Sequence, residues 1–287
     1  MAKPKSIIYH DNNNGEFHIA HSKRPNSYLM NVNHYHPQYE IYYLLSGDRN
    51  YFIQNRVYKI QRGDLVLINT NVLHKTVSGS SEYHERLLIE FSSSYLNNFV
   101  KTEHVQSFLA AFHNNHILLQ LKETEHKQIE SCFFQIIKES KSYGIKNNRM
   151  LTTYFLELLA LINRFAEESK SVEYDYPSAL HQRISEVAAY MDLHYREDIS
   201  LYTTAEKFYI STAHLSRAFK KVTGFTFVEY LSNLRIQKAQ RLLTETKLPI
   251  ADIAREVGYQ NHTHFGRMFK LITGSSPRNF RKLRLPG

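Results

Sequence analysis

The sequence contains very little cysteine, proline or glycine, and each shortage excludes a kind of chain. Of its 287 residues, one is cysteine, seven are proline and ten are glycine. The single cysteine, Cys132, cannot form a disulfide within the chain, and it fits a reducing compartment. The low proline and glycine content argues against a disordered or fibrous chain.

Long apolar runs are also missing. The longest apolar window, around Leu156–Ile162, is interrupted by Glu157 and is too short to cross a bilayer. The first residues, MAKPKSIIYHDNNNG, lack the apolar core of a secretion signal. We therefore expect a cytoplasmic protein with no membrane partner.

Basic residues are unevenly placed in this chain, whose formal net charge is +9. Residues 1–178 hold 19 basic and 18 acidic side chains, whereas residues 179–287 hold 17 and 9. A strongly basic half favours a polyanionic partner, and nucleic acid is the leading candidate. A solubilising surface is the alternative that charge alone leaves open.

Residues 16–91 consist of short runs rich in Tyr, Ile, Leu and Val, separated by turn segments such as SGDR at 46–49 and QRGD at 61–64. Many short strands at hairpin spacing favour an antiparallel sandwich or barrel. The predicted strands are Glu40–Leu45, Tyr51–Gln54, Val57–Ile60, Asp64–Ile68 and Leu87–Phe91.

From Ser93 onwards the apolar residues recur at helical spacing. The clearest stripe runs from Leu151 to Phe165, and it could pack within its own domain or form a subunit interface. The polar segment EESKSVEYDYPS at 167–178 indicates a linker. We therefore predict an α+β chain with domains at 1–166 and 179–287.

One short segment occurs twice, as HLSRAFKKVTG at 214–224 and HFGRMFKLITG at 264–274. Each copy places apolar residues on one helix face and basic residues on the other. A short helix, a tight turn and a longer helix with a basic face predict a helix-turn-helix unit, here present twice. The uninterrupted amphipathic run Phe227–Thr246 predicts a rigid helix between the two units. A repeat that only packs would not explain the paired outward arginines and lysines.

Residues 180–284 resemble the DNA-binding domain of AraC/XylS-type bacterial transcription regulators along their whole length. The resemblance rests on AEKFYISTAHLSRAFKKVTGFTFVEYLSNLRIQKAQRLL and on the more specific IADIAREVGYQNHTHFGRMFKLITGSSPRNFRKLR. It implies two helix-turn-helix units that enter successive major-groove segments on one DNA face. By position, it implies base-reading roles for Ala213, Ser216, Arg217, His262, Thr263, Gly266 and Arg267. Lys220 and Lys270 lie one helical turn further on, where they can meet phosphates.

A second motif lies in HYHPQYEIYYLLSG at 34–47, where His34, His36, Glu40 and Gly47 form an H-x-H-x3-E-x6-G pattern. GDLVLINTNVLH follows at 63–74 and ends at His74. The two segments resemble the paired motifs of the cupin barrel, although Asn69 stands where the second motif usually has proline. AraC-type regulators commonly carry such a domain before the DNA-binding one. The resemblance implies an N-terminal antiparallel β-barrel of the cupin-like, jelly-roll type with appended helices.

Three interpretations of this second motif remain open. In the first, His34, His36, Glu40, His74 and Tyr42 line a pocket that binds a small effector such as a sugar. In the second, the histidines and Glu40 hold a divalent metal, as the same positions do in metal-using cupins. In the third, these groups only make structural hydrogen bonds. We favour the first and expect no metal, no cofactor and no catalysis.

The combined expectation is a transcription regulator that binds promoter DNA and responds to a small-molecule effector. The resemblance also implies a homodimer that works with RNA polymerase, and it favours activation over repression. A metal-dependent cupin enzyme fused to a DNA-binding domain is the alternative.

Overall fold

The computed structural model of the chain describes residues 9–25, 36–113, 117–169 and 175–284. The chain divides into two compact units. The first comprises Met1–Tyr51 and Tyr58–Asp175, and the second comprises Tyr176–Gly287 together with the short segment Phe52–Val57. No helix in the described ranges is both long and apolar enough to span a membrane.

Among the described residues, nine strands lie wholly or mainly in the first unit, and the sequence had indicated five of them. They are β1 (Tyr9–Asn13), β2 (Phe17–Pro25), β3 (Tyr39–Ser46), β4 (Asp48–Ile53), β5 (Arg56–Gln61), β6 (Asp64–Ile68), β7 (His74–Ser78), β8 (Tyr83–Phe91) and β9 (Leu118–Gln120). Strand β6 has the predicted bounds, whereas β8 begins four residues before its predicted start. Strands β1, β2, β7 and β9 were not singled out from the sequence.

These strands form two sheets, so the N-terminal domain is antiparallel and cupin-like, as expected. The larger sheet has the order β1-β2-β8-β3-β6-β9, with antiparallel pairing throughout, and the smaller has the order β5-β4-β7. Because side chains alternate along a strand, each strand of the larger sheet presents two different faces. On β3, Tyr39, Ile41 and Tyr43 belong to the apolar core, while Glu40 and Tyr42 lie on the opposite face. We call that opposite face the inner face.

The described part of the first unit also contains five helices. They are α1 (Ser93–Asn97), α2 (Thr102–Phe108), α3 (Ala110–His113), α4 (Glu123–Tyr143) and α5 (Arg149–Glu168). Helix α5 places Leu151, Phe155 and Ile162 in the same core as the sheet, and all three are buried. Of the two alternatives for the apolar stripe, the structure therefore shows packing within its own domain. Cys132 lies in the same core, and burial raises the pKa of its thiol to about 12.

Apart from the segment Phe52–Val57, the regular elements described in the second unit are all helices. They are α6 (Ala179–His194), α7 (Leu201–Lys207), α8 (Thr212–Thr223), α9 (Phe227–Glu245), α10 (Ile250–Glu256), α11 (His262–Thr273) and α12 (Pro277–Arg284). Helix α9 ends one residue before the predicted end, and Thr246 becomes its C-cap. Buried residues of α9 pack with those of α10 and α11 in one core that includes Ile236, Ala239 and Phe269.

Candidate nucleic-acid interface and effector pocket

Helix α8 is the second helix of the first helix-turn-helix unit, and its ends are defined by local hydrogen bonds. The Ser211 hydroxyl accepts the His214 N–H at 3.3 Å, and Gly224 ends the helix with a φ of 79°. Leu215, Ala218 and Phe219 are buried on one face. The opposite face is therefore free to meet a partner.

Helix α11 repeats this construction fifty residues later. Asn261 replaces serine as the N-cap and accepts the His264 N–H at 2.9 Å, and Gly274 ends the helix with a φ of 77°. Phe265 and Phe269 are buried in the positions that correspond to Leu215 and Phe219. The duplicated sequence thus produces a duplicated structure.

The recurring Thr-Gly pair has a structural role that the sequence did not reveal. The Thr223 hydroxyl donates to the Phe219 carbonyl at 2.8 Å and accepts the Phe225 N–H at 3.1 Å. Thr273 makes the matching pair of bonds, to the Phe269 carbonyl at 2.8 Å and from the Ser275 N–H at 3.3 Å. Each threonine thus links the last turn of its helix to the residue that follows the terminal glycine.

The nine residues predicted to contact DNA lie on the outward faces of these two helices. In α8 the side chains of Ala213, Ser216, Arg217 and Lys220 are exposed. In α11 His262, Thr263, Arg267 and Lys270 are exposed, and Gly266 is partly so. Residues at i, i+3, i+4 and i+7 share one helix face, so each set forms a single continuous surface.

Helix α9 connects the two units, and its length bears on how they could bind together. It has 19 residues, which corresponds to a length of about 28 Å. Successive major-groove segments on one DNA face repeat at about 34 Å. A rigid helix of this length is therefore compatible with two reading helices on one face of a duplex.

The predicted effector residues of the first unit meet around one carboxylate on the inner face. Glu40 Oε2 lies 3.3 Å from His36 Nε2 and 3.4 Å from His74 Nε2. The Tyr51 hydroxyl donates to Glu40 Oε1 at 2.6 Å. Three of the five predicted residues are thus brought together, and Tyr51 joins them.

Backbone carbonyls orient both imidazole rings toward Glu40. The Nδ1 atom of His36 donates to the Gln38 carbonyl at 3.1 Å, and that of His74 donates to the Val72 carbonyl at 2.7 Å. Because Nδ1 carries a proton in each ring, Nε2 can face the carboxylate as a charged N–H or offer its lone pair to a cation.

Electrostatics stabilise the charged forms of this cluster. Burial raises the pKa of the Glu40 carboxyl, but the His74 charge and the His36 hydrogen bond outweigh burial and hold the pKa well below its usual range. Burial lowers the pKa of His36, but Glu40 and Glu90 outweigh that effect and raise the pKa. The cluster therefore favours an ionised Glu40 and a protonated His36.

The same donor set also fits a divalent metal ion. The ligand atoms of His36, Glu40 and His74 all lie within 4.8 Å of one another. Metal-binding histidines commonly donate their second ring nitrogen to a carbonyl, as both of these do. These three residues would hold the ion.

Two predicted residues need separate mention. His34 lies outside the described residues. Tyr42 is fully buried on the inner face, beside Tyr51 at a ring-centroid distance of 5.3 Å, and it does not contact Glu40 through a hydrogen bond.

Asn69, which replaces the usual proline, donates its amide to the Phe112 carbonyl at 3.3 Å. It thus serves the fold and lies outside the cluster.

The cluster continues into residues that sequence reasoning had missed. Glu90 pairs directly with Glu40 across the strands, and its carboxylate contacts His18 Nδ1 at 2.9 Å and His36 Nε2 at 3.7 Å. In the sequence Glu90 lies between Ile89 and Phe91, which are core residues, and a polar side chain at such an alternating position would ordinarily lie in solvent.

Comparison with known proteins agrees with both halves of this description. Residues 18–159 match the model of the AraC-like ligand binding domain, and residues 204–283 match that of a helix-turn-helix domain. The chain belongs to the AraC family of helix-turn-helix transcriptional regulators. As an AraC-family regulator, it combines a ligand-binding domain with a DNA-binding domain.

Individual relatives of this AraC-family chain are distant. The HTH-type transcriptional regulator YfiF of Bacillus subtilis is 26% identical over 87% of this chain and 78% of its own length. An HTH-type transcriptional regulator of Staphylococcus aureus is 24% identical over 83% of this chain, which spans 31% of that longer protein. The C-terminal domain of AraT, a response regulator from Geobacillus stearothermophilus, is 34% identical, covers 38% of this chain and 92% of its own, and has a TM-score of 0.37.

Proposed function

We propose that this AraC-family regulator binds promoter DNA with both helix-turn-helix units and changes its DNA binding when a small molecule enters the first unit. The observation that carries the proposal is the duplicated exposed face, with Arg217 and Lys220 on α8 and Arg267 and Lys270 on α11. Because bacterial promoter DNA lies in the cytoplasm, the proposed activity is cytoplasmic.

On each face, some side chains are proposed to recognise bases and others to bind phosphates. The arginine fork matches the two acceptors on guanine in the major groove, while lysines meet phosphates without reading sequence. Ser216, His262 and Thr263 can add hydrogen bonds to base edges. Ala213 and Gly266 carry little or no side chain, so we expect looser sequence preference at the bases they approach.

The first unit supplies the response. The proposed pocket is the inner face around His36, Glu40, His74 and Tyr42, which offers hydrogen-bonding groups beside aromatic rings, as a sugar or related metabolite requires. A ligand that binds one arrangement of the two units better than another shifts the population toward it. We propose activation through RNA polymerase as the output.

We also propose a homodimer. Support comes from the family resemblance and from exposed apolar side chains on the first unit, where Phe134 of α4 and Met150 at the start of α5 are 43% and 50% exposed. A dimer contact would cover them. Light scattering of the full chain would give twice the monomer mass, and a monomer mass at micromolar protein would reject this part.

The DNA-reading role is tested by selecting bound duplexes from a randomised library and measuring variants on the selected sequence. We expect Arg217→Ala and Arg267→Ala each to weaken specific binding by about 1–3 kcal/mol, and to relax preference at separate positions. Arg164→Ala, in the exposed part of α5, is the matched control. An unchanged ratio of specific to random binding would show that these helices do not read DNA.

The phosphate role of the lysines has a different signature. Lys220→Ala and Lys270→Ala should weaken binding to selected and random duplexes alike. Each should also reduce the slope of log affinity against log salt by about 0.9. A salt slope identical to that of the parent protein would reject the phosphate role.

A metal-dependent enzyme is the second candidate, and the convergence of His36, Glu40 and His74 favours it. Elemental analysis of purified protein tests it directly. Stoichiometric iron, manganese or zinc that is lost in His36→Ala, and retained in the exposed-histidine control His104→Ala, would support a metal centre. Metal-free protein that still responds to its effector would exclude one.

A further inference from the structure

Three arginines lie together at the end of the inner face remote from Glu40. The strand register places Arg86 of β8 opposite Ser22 of β2, and His84 opposite Arg24. Arg49 of β4 is fully buried and Arg86 is only 7% exposed. Arg24 is partly buried. Arginines are among the residues least often buried, so two buried arginines beside a third need a physical reason.

Two side chains on this face are influenced by the charge of all three guanidinium groups. Burial raises the pKa of the Tyr42 hydroxyl and lowers the pKa of the His84 ring. The charges of Arg86, Arg49 and Arg24 lower both pKa values. Arg86 Cζ lies 5.3 Å from the centre of the Tyr42 ring, and its Nε donates to the Ser22 hydroxyl at 3.2 Å. The five side chains therefore surround one small region.

Unused polar atoms point to a ligand in this region. The Tyr42 hydroxyl and the His84 Nδ1 atom are buried and have no hydrogen-bond partner among the described residues. Tyr42 is 0% exposed and His84 is 3% exposed. Burying a polar group without a partner costs free energy, so such atoms commonly form hydrogen bonds with a water molecule or a ligand.

The local charge is strongly positive. Burial, followed by the three arginines, lowers the pKa of His84 to about 3, so this ring is neutral at physiological pH. Glu40, which lies on the same strand as Tyr42, contacts His36 and His74. Asp48, which acts weakly on Arg49, accepts the backbone N–H groups of Ser80 and Ser81. An anion would offset the mutual repulsion of the arginines.

We propose that the effector of this protein is a small organic anion. Its carboxylate or phosphate group binds Arg24, Arg49 and Arg86, and Tyr42 and His84 complete its hydrogen bonds. The fork of a guanidinium matches both kinds of anionic group. Hydroxyl groups on the same molecule would reach the Glu40 cluster, which shares the inner face. This inference rests on the proposed effector response and names its chemical class.

The test uses thermal unfolding of the full chain with three probes at equal millimolar concentration. D-glucuronate carries a carboxylate, inorganic phosphate represents the phosphate source, and D-glucose is the neutral match of glucuronate. A ligand that binds the native state raises the melting temperature. We expect a rise with at least one anion and none with glucose. If neither anion raises the melting temperature, the proposal fails.

Variants locate the binding. Arg86→Gln should weaken the affinity for the active anion by roughly tenfold or more, while Arg164→Gln, an exposed arginine in the same unit, should leave it unchanged. Arg86→Lys is the second variant, for use if Arg86→Gln does not fold. It keeps the positive charge but loses the two parallel N–H donors of the guanidinium, so its affinity for the anion should lie between that of the parent protein and that expected for Arg86→Gln. Phosphate could also bind the basic second unit. The double variant Arg217→Ala/Arg267→Ala must therefore retain the response, or the site lies elsewhere.

The outcomes separate this inference from the proposed function. If glucose raises the melting temperature as much as glucuronate, and Arg86→Gln leaves both shifts unchanged, the pocket takes neutral effectors. The anion proposal then fails while the regulator stands. If the anion binds through Arg86 but leaves the affinity for selected DNA unchanged, the anion site stands and the proposed response fails.

Discussion

At the scale of single residues, the first unit is defined by polar side chains inside its sheets. Glu40 is held between two histidines, and Arg86 lies beside His84 and Tyr42 farther along the same face. Each of these groups sacrifices hydration on burial, so each affects stability as well as binding. His84 is the clearest case because its protonation is suppressed.

The pH dependence of stability should therefore depend on His84. Its folded pKa of about 3 lies below its ordinary value of 6.5. Between these values the unfolded chain binds a proton that the folded chain does not, so stability present above pH 6.5 is lost as pH falls toward 3. From pH 7 to pH 5 the loss should be about 2 kcal/mol.

Urea unfolding of the first unit, followed by circular dichroism at pH 7 and pH 5, measures this loss. His84→Gln should remove most of it, and His104→Gln, an exposed histidine of α2, should not. An identical pH dependence in His84→Gln and the parent protein would show that the ring is not held neutral.

At the scale of elements, the two helix-turn-helix units are copies that differ in their turns. Gly258 follows α10 with a φ of 87°, and Tyr209 occupies the corresponding place after α7 with a φ of 54° and a side chain that is 93% exposed. In both turns the next residue donates its N–H to the matching alanine carbonyl, from Ile210 to Ala205 and from Tyr259 to Ala254. The same turn is thus made with and without glycine.

Substitution by alanine should destabilise the second unit in one turn and have little effect in the other. A Cβ on Gly258 would lie 2.7 Å from the Tyr195 carbonyl and 3.0 Å from that of Arg196, in a left-handed conformation. We expect Gly258→Ala to reduce the free energy of unfolding of the second unit by roughly 2 kcal/mol. Tyr209→Ala keeps the existing backbone strain at an exposed site, so its effect should stay within about 0.5 kcal/mol. Thermal unfolding compares them, and equal losses would contradict the clash.

At the scale of the whole molecule, the chain joins a ligand-binding unit of almost balanced charge to a DNA-binding unit with a large positive excess. The excess supports association with DNA at any sequence, and we propose that α8 and α11 add sequence preference. A response to an effector requires that binding in one unit changes the affinity of the other.

Such coupling must be reciprocal. If the active anion changes the affinity for selected DNA by some factor, DNA must change the affinity for the anion by the same factor, which is typically about 5–150. Fluorescence anisotropy of labelled DNA gives the first factor, and calorimetry of the anion with and without DNA gives the second. A random duplex of equal length is the control. Two saturable sites with factors of one would show that the units act independently.

Much of the second unit was predictable because its signals are local. The apolar period of α8 and α11, the caps at Ser211 and the glycine that ends each helix all depend on residues within a few positions of one another. The exposed faces carrying Arg217 and Arg267 follow from the same period. The roles of those faces on DNA stay predictions.

The first unit was less predictable because several of its strands have polar side chains at positions that prove to be buried. Strand β7, HKTVS, has no apolar stripe, and its buried residues include His74 and Thr76. In β2 and β8 a period-two pattern ordinarily places His18, Arg86 and His84 toward water. Nothing local to those strands shows that another sheet covers them.

The sequence by itself determined the duplicated helices, their caps and the basic surface they present, because helical period and capping act over neighbouring residues. Only the tertiary structure decided that Glu40 meets two histidines and that Arg49 and Arg86 are buried on the same face as the partly buried Arg24. Those contacts join residues from strands far apart in the chain, and a polar side chain becomes buried only when a second sheet closes over it.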